Sequence, residues 1–173
     1  MGSEMCIRDS INPGGERAPF VKPSAKAQFF GISLRHTKWH LLRAVYEGVA
    51  LSVLDCFSHI PVEVAEVRIS GGGATSSLWC QILSDVIGKP IHVSSAQELG
   101  TLGAAIAAGA AVGLYPDIKE AAKELVKFSH FYKPNMENHS KYLEIYRLYR
   151  SIYNHLWNDW DERRSLLRKL QEV

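Results

Sequence analysis

The sequence is short of the features that mark several protein classes. It has three cysteines, Cys6, Cys56 and Cys80, at spacings that suit neither a zinc site nor a disulfide framework, and an odd count is usual for reduced intracellular proteins, so a cytoplasmic location is expected. It has no long hydrophobic run: the most apolar stretch, Leu102 to Tyr115, is about 14 residues where a membrane-spanning helix needs roughly 20, and it is read as a buried helix. It has no dominant charge, with 20 Lys plus Arg against 18 Asp plus Glu. Its basic residues are scattered apart from Arg163, Arg164, Arg168 and Lys169, which argues against a nucleic-acid surface. Met1 to Ser10 has no apolar core of a signal peptide and reads as a foreign leader, set aside from the fold. Metal-binding spacing is missing too. His36 and His40 share a helical face, but no third ligand follows, so no metal is expected.

What is present is enough for one domain with a core: 173 residues, 46% hydrophobic. Ile11 to Ser33 carries Pro13, Pro19 and Pro23 with Gly14, Gly15 and Gly31 and reads as a loop with little regular structure. From Thr37 to about His59, Leu41, Val45, Val49 and Val53 recur every four residues, flanked by Leu42 and Leu54, which predicts an amphipathic helix. Val64 to Ser70 reads as a strand leading into Gly71, Gly72 and Gly73, then a helix over Thr75 to Ile87 stopped by Gly88. Pro90 to Ser95 is a second strand and Glu98 to Tyr115 an Ala/Gly-rich helix. Two consecutive strand-to-helix units predict an α/β layer fold with some parallel pairing. Asp117 is a suitable N-cap for a helix to about Lys127. Tyr142, Tyr146, Tyr149, Ile152, Leu156 and Trp160 predict one long C-terminal helix with an aromatic docking face, open to a break near Asp159.

The glycine run is the strongest candidate for function. Without Cβ atoms the backbone can approach a ligand, and the helix start that follows presents free amides, which suits a nucleotide. A tight packing turn explains the same residues. A dinucleotide fingerprint needs glycine where Ser76 stands and an acid where Ser94 and Ser95 stand, so that class is disfavoured. Ser76 and Ser77 suit helix capping or solvation as well as ligand contact. Trp79 reads as core and Gln81 as a brace of the turn. Glu16 and Arg17 read as an ion pair that pins their loop, with reach into a cleft as the alternative. Arg43 and Glu47, four apart, read as a helix-surface pair worth a few tenths of a kcal/mol, with loop anchoring as the alternative. Gly109 and Gly113 would let their helix press against the sheet.

Three stretches together resemble the C-terminal lobe of the FGGY family of carbohydrate kinases, of a xylulokinase-like type. They are Gly15 to Phe20 (GERAPF) with a degenerate continuation over Lys22 to Ala27; Ala27 to Glu47, through Phe29, Gly31, Ile32, His40, Leu41, Ala44, Val45 and Tyr46; and Ser70 to Asp85 with Glu98 to Ala105 downstream. The resemblance implies a ribonuclease H-like α/β lobe of the actin, Hsp70 and sugar kinase superfamily, truncated at its N-terminal strands and ending in a long helix. It divides the chain into a leader at 1–10, an inter-lobe loop at 11–34 and a nucleotide-binding lobe at 35–173. It implies ATP as cofactor, with adenine and ribose against Gly71, Gly72, Gly73 and Ala74 and a polar contact from Ser77. Mg2+ and a ketose or polyol substrate belong to the full-length enzyme, whose N-terminal lobe would be the partner; a homodimer is compatible with it.

The family's first phosphate loop, catalytic aspartate and most sugar contacts lie upstream of the matching segment. Asp85, Glu98 and Asp117 read as helix surface or caps, so no catalytic residue is named and the fragment alone is expected to be inactive. The competing readings are a nonenzymatic nucleotide- or partner-binding module and a different ATPase of the same superfamily.

Overall fold

A computed structural model describes residues 6–8, 16–96 and 98–171. In chain order the elements are β1 (Cys6–Arg8), β2 (Gln28–Phe30), α1 (Lys38–Phe57), β3 (Val67–Ile69), a 3-10 turn (Gly72–Thr75), α2 (Ser77–Ile87), β4 (Ile91–Ser94), α3 (Leu99–Ala111), α4 (Ile118–Leu125), β5 (Phe128–Tyr132), α5 (Met136–His155) and α6 (Asp159–Gln171). They form two compact units. One takes the chain up to Glu63 with Asp85–Gly88 and the chain from Asn135; the other takes Val64–Ser84 and Lys89–Pro134.

In the first unit the segment expected to be irregular contains ordered backbone. β2 pairs antiparallel with β1, Ile7 opposite Phe29, so three of the residues set aside as a leader take part in a sheet. The rest of that leader, and the residues through Gly15 that open the GERAPF stretch, lie outside the described residues. Glu16 and Lys22 exchange both backbone hydrogen bonds, closing the loop on itself. The loop is pinned, though the side chains that do it differ from the pair expected. Arg17 gives its backbone amide to the Glu16 carboxylate at 3.2 Å. Lys22 Nζ and Ser24 Oγ both donate to the Asp161 carboxylate, and the Phe20 ring sits about 5 Å from those of Tyr153 and Trp157. Buried lysine and serine persist here because one carboxylate satisfies both.

α1 begins at a capping box in which Thr37 and His40 satisfy each other's backbone amides, and His36 Nδ1 likewise accepts from Ser33 N at 2.8 Å. Both histidines that share a face are thus used in turn and cap formation. The fully buried face of α1 is Ala44, Glu47, Gly48, Ala50, Leu51 and Asp55. The valine stripe read from the sequence lies roughly a third of a turn away at 100° per residue and is half-buried, with Leu42 exposed. The reason is on α5. Small residues on α1 let tyrosines approach, and the two carboxylates accept their hydroxyls: Tyr142 donates to Glu47 at 2.9 Å, Tyr146 to Asp55 at 2.5 Å and Tyr153 to Asp55 at 3.0 Å. Arg43 binds Glu47 at 2.7 Å and donates to Tyr142 at 3.2 Å. Arg43 and Glu47 are therefore part of a buried network that locks α1 to α5, in contrast to the surface pair expected. Burial, then the Glu47 charge, pushes the Tyr142 phenol up to about 12; burial and the bond to Asp55 do the same for Tyr146.

Asp85, read as surface or cap, is buried and caps a different helix. It accepts from Asn135 N and Asn138 Nδ2, both at 2.9 Å, at the start of α5. The C-terminal helix is two helices, with the break falling over 156–158, next to Asp159 where the sequence had left one open, and there the Asn158 carbonyl accepts the amides of Asp161 and Glu162. The docking face is real: Tyr142, Tyr149, Tyr153 and Trp160 are buried.

In the second unit the sheet order is β3-β4-β5. β3 and β4 are parallel, Arg68 opposite His92, and β5 runs antiparallel to β4 with a register shift between Val93 and Ser94. Cys80, Ile82, Leu83, Ile91 and Val93 fill the core beneath it, with Ser84 satisfied by the carbonyls of Lys89 and Tyr132. Asp117 caps α4 by accepting from Glu120 N at 2.9 Å.

α3 departs from expectation. It is mostly exposed, and only Ile106 and Gly109 are buried, because alanine presents so little apolar area that leaving it in water costs little. The helix ends early, at Ala111, with Gly113 in the left-handed region. A Cβ on Gly109 would stand 3.0 Å from the Tyr115 ring, so this glycine accommodates the helix's own C-terminal turn and not the sheet. Among the described residues no helix is long and apolar enough to cross a membrane, and no cluster of His, Cys, Asp or Glu could hold a metal ion.

Candidate functional site

The β-branched pair Val67 and Ile69 carries the chain along the sheet to Ser70, where the backbone turns sharply. Gly71 has φ +83°, a conformation that costs a residue with a Cβ about 1 kcal/mol or more. Its carbonyl accepts from Ala74 N at 3.0 Å, the Thr75 hydroxyl closes onto the Gly72 carbonyl at 2.7 Å, and Ser76 Oγ receives the Trp79 amide at 3.3 Å. Ser76 is thereby the cap of α2. Buried Cys80 points its thiol at the Ala74 carbonyl. No acidic residue occupies the first turn of α2, so the positive end of the helix dipole is not neutralised by its own side chains.

The three glycines have three different reasons. Gly71 is there for its backbone angle. Gly73 is there for packing, since a Cβ would stand 3.3 Å from Trp79 Nε1. Gly72 meets nothing within 4 Å of an added Cβ; its open side borders a cleft.

That cleft has a volume of about 580 Å³, within the range of small-molecule sites. One wall is the turn and helix start, with Ser70, Gly71, Gly72, Ala74, Thr75 and Ser77. The facing wall is the end of β4 with Ser94, Ser95 and Ala96, and β5 with Ser129, His130 and Tyr132. Of the residues singled out from the sequence, Gly71, Gly72, Ala74 and Ser77 line the cleft, whereas Gly73 lies behind it against half-buried Trp79. Gln81, read as a brace of the turn, donates instead to the Lys133 carbonyl just past β5 at 2.9 Å. The β5 wall had no counterpart in the sequence reading, and Ser94 and Ser95 had figured there only as the absence of an acid.

Chemically the cleft combines the hydroxyls of its serines, Thr75 and Tyr132, backbone and one imidazole with the apolar side chains of Ala74, Val93 and Ala96. None of its lining residues is Asp, Glu, Lys or Arg. It can hydrogen-bond a polar, uncharged group of nucleoside size, but it supplies no carboxylate base and no fixed cation for a phosphate chain. The carboxylates Asp85 and Asp117 are committed as caps, and Glu98 stands exposed at the start of α3.

An α/β lobe with a glycine turn opening on an uncharged cleft is the class of structure in hand, and its solved neighbours place it in the actin and sugar kinase superfamily. The chain superposes on ligand-bound xylulose kinase from Lactobacillus acidophilus with TM-score 0.83 and 27% identity, covering 91% of this chain and 32% of that one. Xylulose kinase from Rhodospirillum rubrum gives 0.79 and 26%, over 92% and 32%. The model of the FGGY family of carbohydrate kinases, C-terminal domain, matches residues 11–112, and the chain belongs to this family. Erythritol kinase of Brucella abortus is 34% identical over 154 residues, 88% of this chain and 30% of that protein; a xylulose kinase of Staphylococcus epidermidis is 33% identical over 142 residues, 80% and 29%. The chain thus spans about three tenths of the length of the curated relatives it matches.

Proposed function

We propose that this chain is the ATP-binding part of a kinase that moves the γ-phosphoryl group of ATP to a hydroxyl of a ketose or polyol, and that alone it does not turn over. In this reading residues 35–173 are the nucleotide-binding lobe and 11–34 the inter-lobe loop. Adenine and ribose sit at Gly71, Gly72, Ala74 and Ser77, with Gly73 shaping the turn from behind. Mg2+ and the sugar belong to the full-length enzyme, with most sugar contacts on residues upstream of the matching segment.

The observation that carries this is the cleft beside Gly72: nucleoside-sized, rich in hydroxyls, open where a Cβ is missing, and without charge. A phosphoryl transfer site needs a base at the accepting hydroxyl and cations at the phosphates. The cleft offers neither, which suits the nucleoside end of ATP and leaves the reacting end to residues elsewhere. The two relatives named above, an erythritol kinase and a xylulose kinase, support the substrate class.

Calorimetry with ADP on the wild-type chain and on Gly72→Trp tests the site. A Cβ at 72 meets no atom within 4 Å and position 72 lines the cleft, so a Trp there is expected to obstruct it: affinity should fall at least about tenfold with the unfolding midpoint little changed. Equal affinities would contradict the assignment. In a separate assay with ATP and a panel of pentuloses and polyols, the isolated chain should give no turnover above blank. Measurable turnover would show that the site is complete.

A further inference from the structure

The wall of the cleft opposite the glycine turn has a polarity of its own, and an irregularity in β5 sets it. Val93 pairs with His130 and Ser94 with Phe128, so Ser129 is an extra residue in the strand. In a regular strand Ser129 and His130 would project to opposite faces of the sheet. The bulge re-aims Ser129, and both side chains line the cleft.

The same bulge fixes the imidazole. Ser129 Oγ lies 3.0 Å from His130 Nδ1 and 3.4 Å from the Val93 carbonyl oxygen. A carbonyl can only accept, so the hydroxyl proton goes to Val93 and the hydroxyl oxygen accepts from Nδ1–H. A neutral imidazole protonated at Nδ1 carries a lone pair at Nε2, and that nitrogen has no partner among the described residues. Ser95, on the same wall, donates its hydroxyl proton to the Lys127 carbonyl at 3.1 Å and so also turns lone pairs to the cleft. The β4–β5 edge is therefore an accepting wall, whereas the helix start across from it offers amides.

Given the nucleoside reading of the cleft, on which this rests, we propose that His130 Nε2, with Ser95 Oγ on the same wall, accepts the exocyclic amino group of the base and selects adenine. An amino group brings two donors to these acceptors. An oxo group in its place sets lone pairs against lone pairs, and a base with only hydrogen there leaves the acceptors unpaired once water is displaced, which is how a polar site rejects an analogue.

Three diphosphates that differ in that group test the assignment by calorimetry on the full chain, at about pH 8, where an ordinary imidazole is neutral. They are ADP, purine riboside diphosphate with hydrogen in place of the amino group, and inosine diphosphate with an oxo group. ADP should bind about tenfold or more tighter than the unsubstituted purine, and inosine diphosphate no tighter than the latter. His130→Phe keeps a ring without its nitrogens and His130→Ala removes it. Each should bring ADP and the unsubstituted purine to within about threefold of each other by weakening ADP. Nitrogen NMR of the labelled imidazole should show the proton on Nδ1, with the Nε2 resonance moving when ADP is added. His130 is exposed, so both variants should fold as the wild type does, and the wild-type nucleotide order and ring tautomer need no variant. Amide shifts at 70–77 on adding ADP, together with equal affinities for the three nucleotides, a preference that the His130 variants leave unchanged, or a ring protonated at Nε2, overturn the role of His130 and leave the nucleoside site standing. An absence of ADP shifts at 70–77 overturns both.

Discussion

Replacing Asp55 by alanine is expected to remove about 3–5 kcal/mol of stability, enough to unfold a marginal domain. Asp55 is fully buried on α1 and accepts the hydroxyls of Tyr146 and Tyr153, with Arg150 Nε at 3.8 Å. Alanine would leave two phenol donors without their acceptor and a cavity between α1 and α5, and each unsatisfied donor costs about 1–3 kcal/mol. Asp55→Asn keeps an acceptor and should lose less. Urea unfolding of the three proteins checks the order. The same carboxylate leaves a signature in pH. The Tyr146 phenol is pushed up to about 12, first by burial and then by its bond to Asp55, while an unfolded tyrosine titrates near 10. The folded state therefore holds this proton more tightly. The stability it contributes is complete below pH of about 10 and lost as pH rises through about 12. In Asp55→Asn the ultraviolet phenolate titration of Tyr146, read against a Tyr146→Phe control, should move down towards the ordinary range without reaching it, because burial remains.

Gly88→Ala is the other change expected to be severe. Gly88 ends α2 at φ +70°, where a Cβ costs roughly 1–2 kcal/mol, and that Cβ would stand 2.5–2.8 Å from three atoms of the His139 ring. The ring cannot simply swing away, since its Nδ1 lies 3.0 Å from the Asp85 carbonyl in the turn that also caps α5. Backbone strain and overpacking together should cost about 2–4 kcal/mol. Thermal unfolding of the variant measures it. An unchanged midpoint would mean that the helix stop is not held as described.

These two sites show what the sequence could and could not convey. Gly88 was legible because a helix stop is local: an apolar run, then the residue that tolerates positive φ. The same holds for the Asp117 cap and for the glycine turn after Val67 and Ile69, where propensity and geometry agree within a few residues. Asp55 was not legible. A carboxylate in a run of alanine, glycine and leucine reads as the wet side of a helix, and only tyrosines some ninety residues later make that side the buried one. The valine stripe was therefore taken for the core face of α1, about a third of a turn from the face that packs against α5. Half of the cleft was hidden for a similar reason. β5, Phe128–Tyr132, is largely exposed and interleaves serine and histidine with its aromatics, so no alternation marks it, yet it carries Ser129, His130 and Tyr132 to the wall opposite Gly72. The family resemblance was legible throughout, because it rests on residue identities along the chain and needs no knowledge of what meets what. It pointed to the glycine run as a whole; the geometry divides that run into an angle, an opening and a packing contact.

The account stands on a nucleoside occupying the cleft between that turn and the β4–β5 edge. Titrating the isotope-labelled chain with ADP and following its backbone amides by NMR tests this most directly. Shifts should concentrate at 70–77, 93–96 and 129–132 and saturate with a dissociation constant of about 1 mM or tighter, an affinity of roughly 4 kcal/mol that half a site can supply. Shifts confined to other residues, or none at about 10 mM ADP, would contradict it.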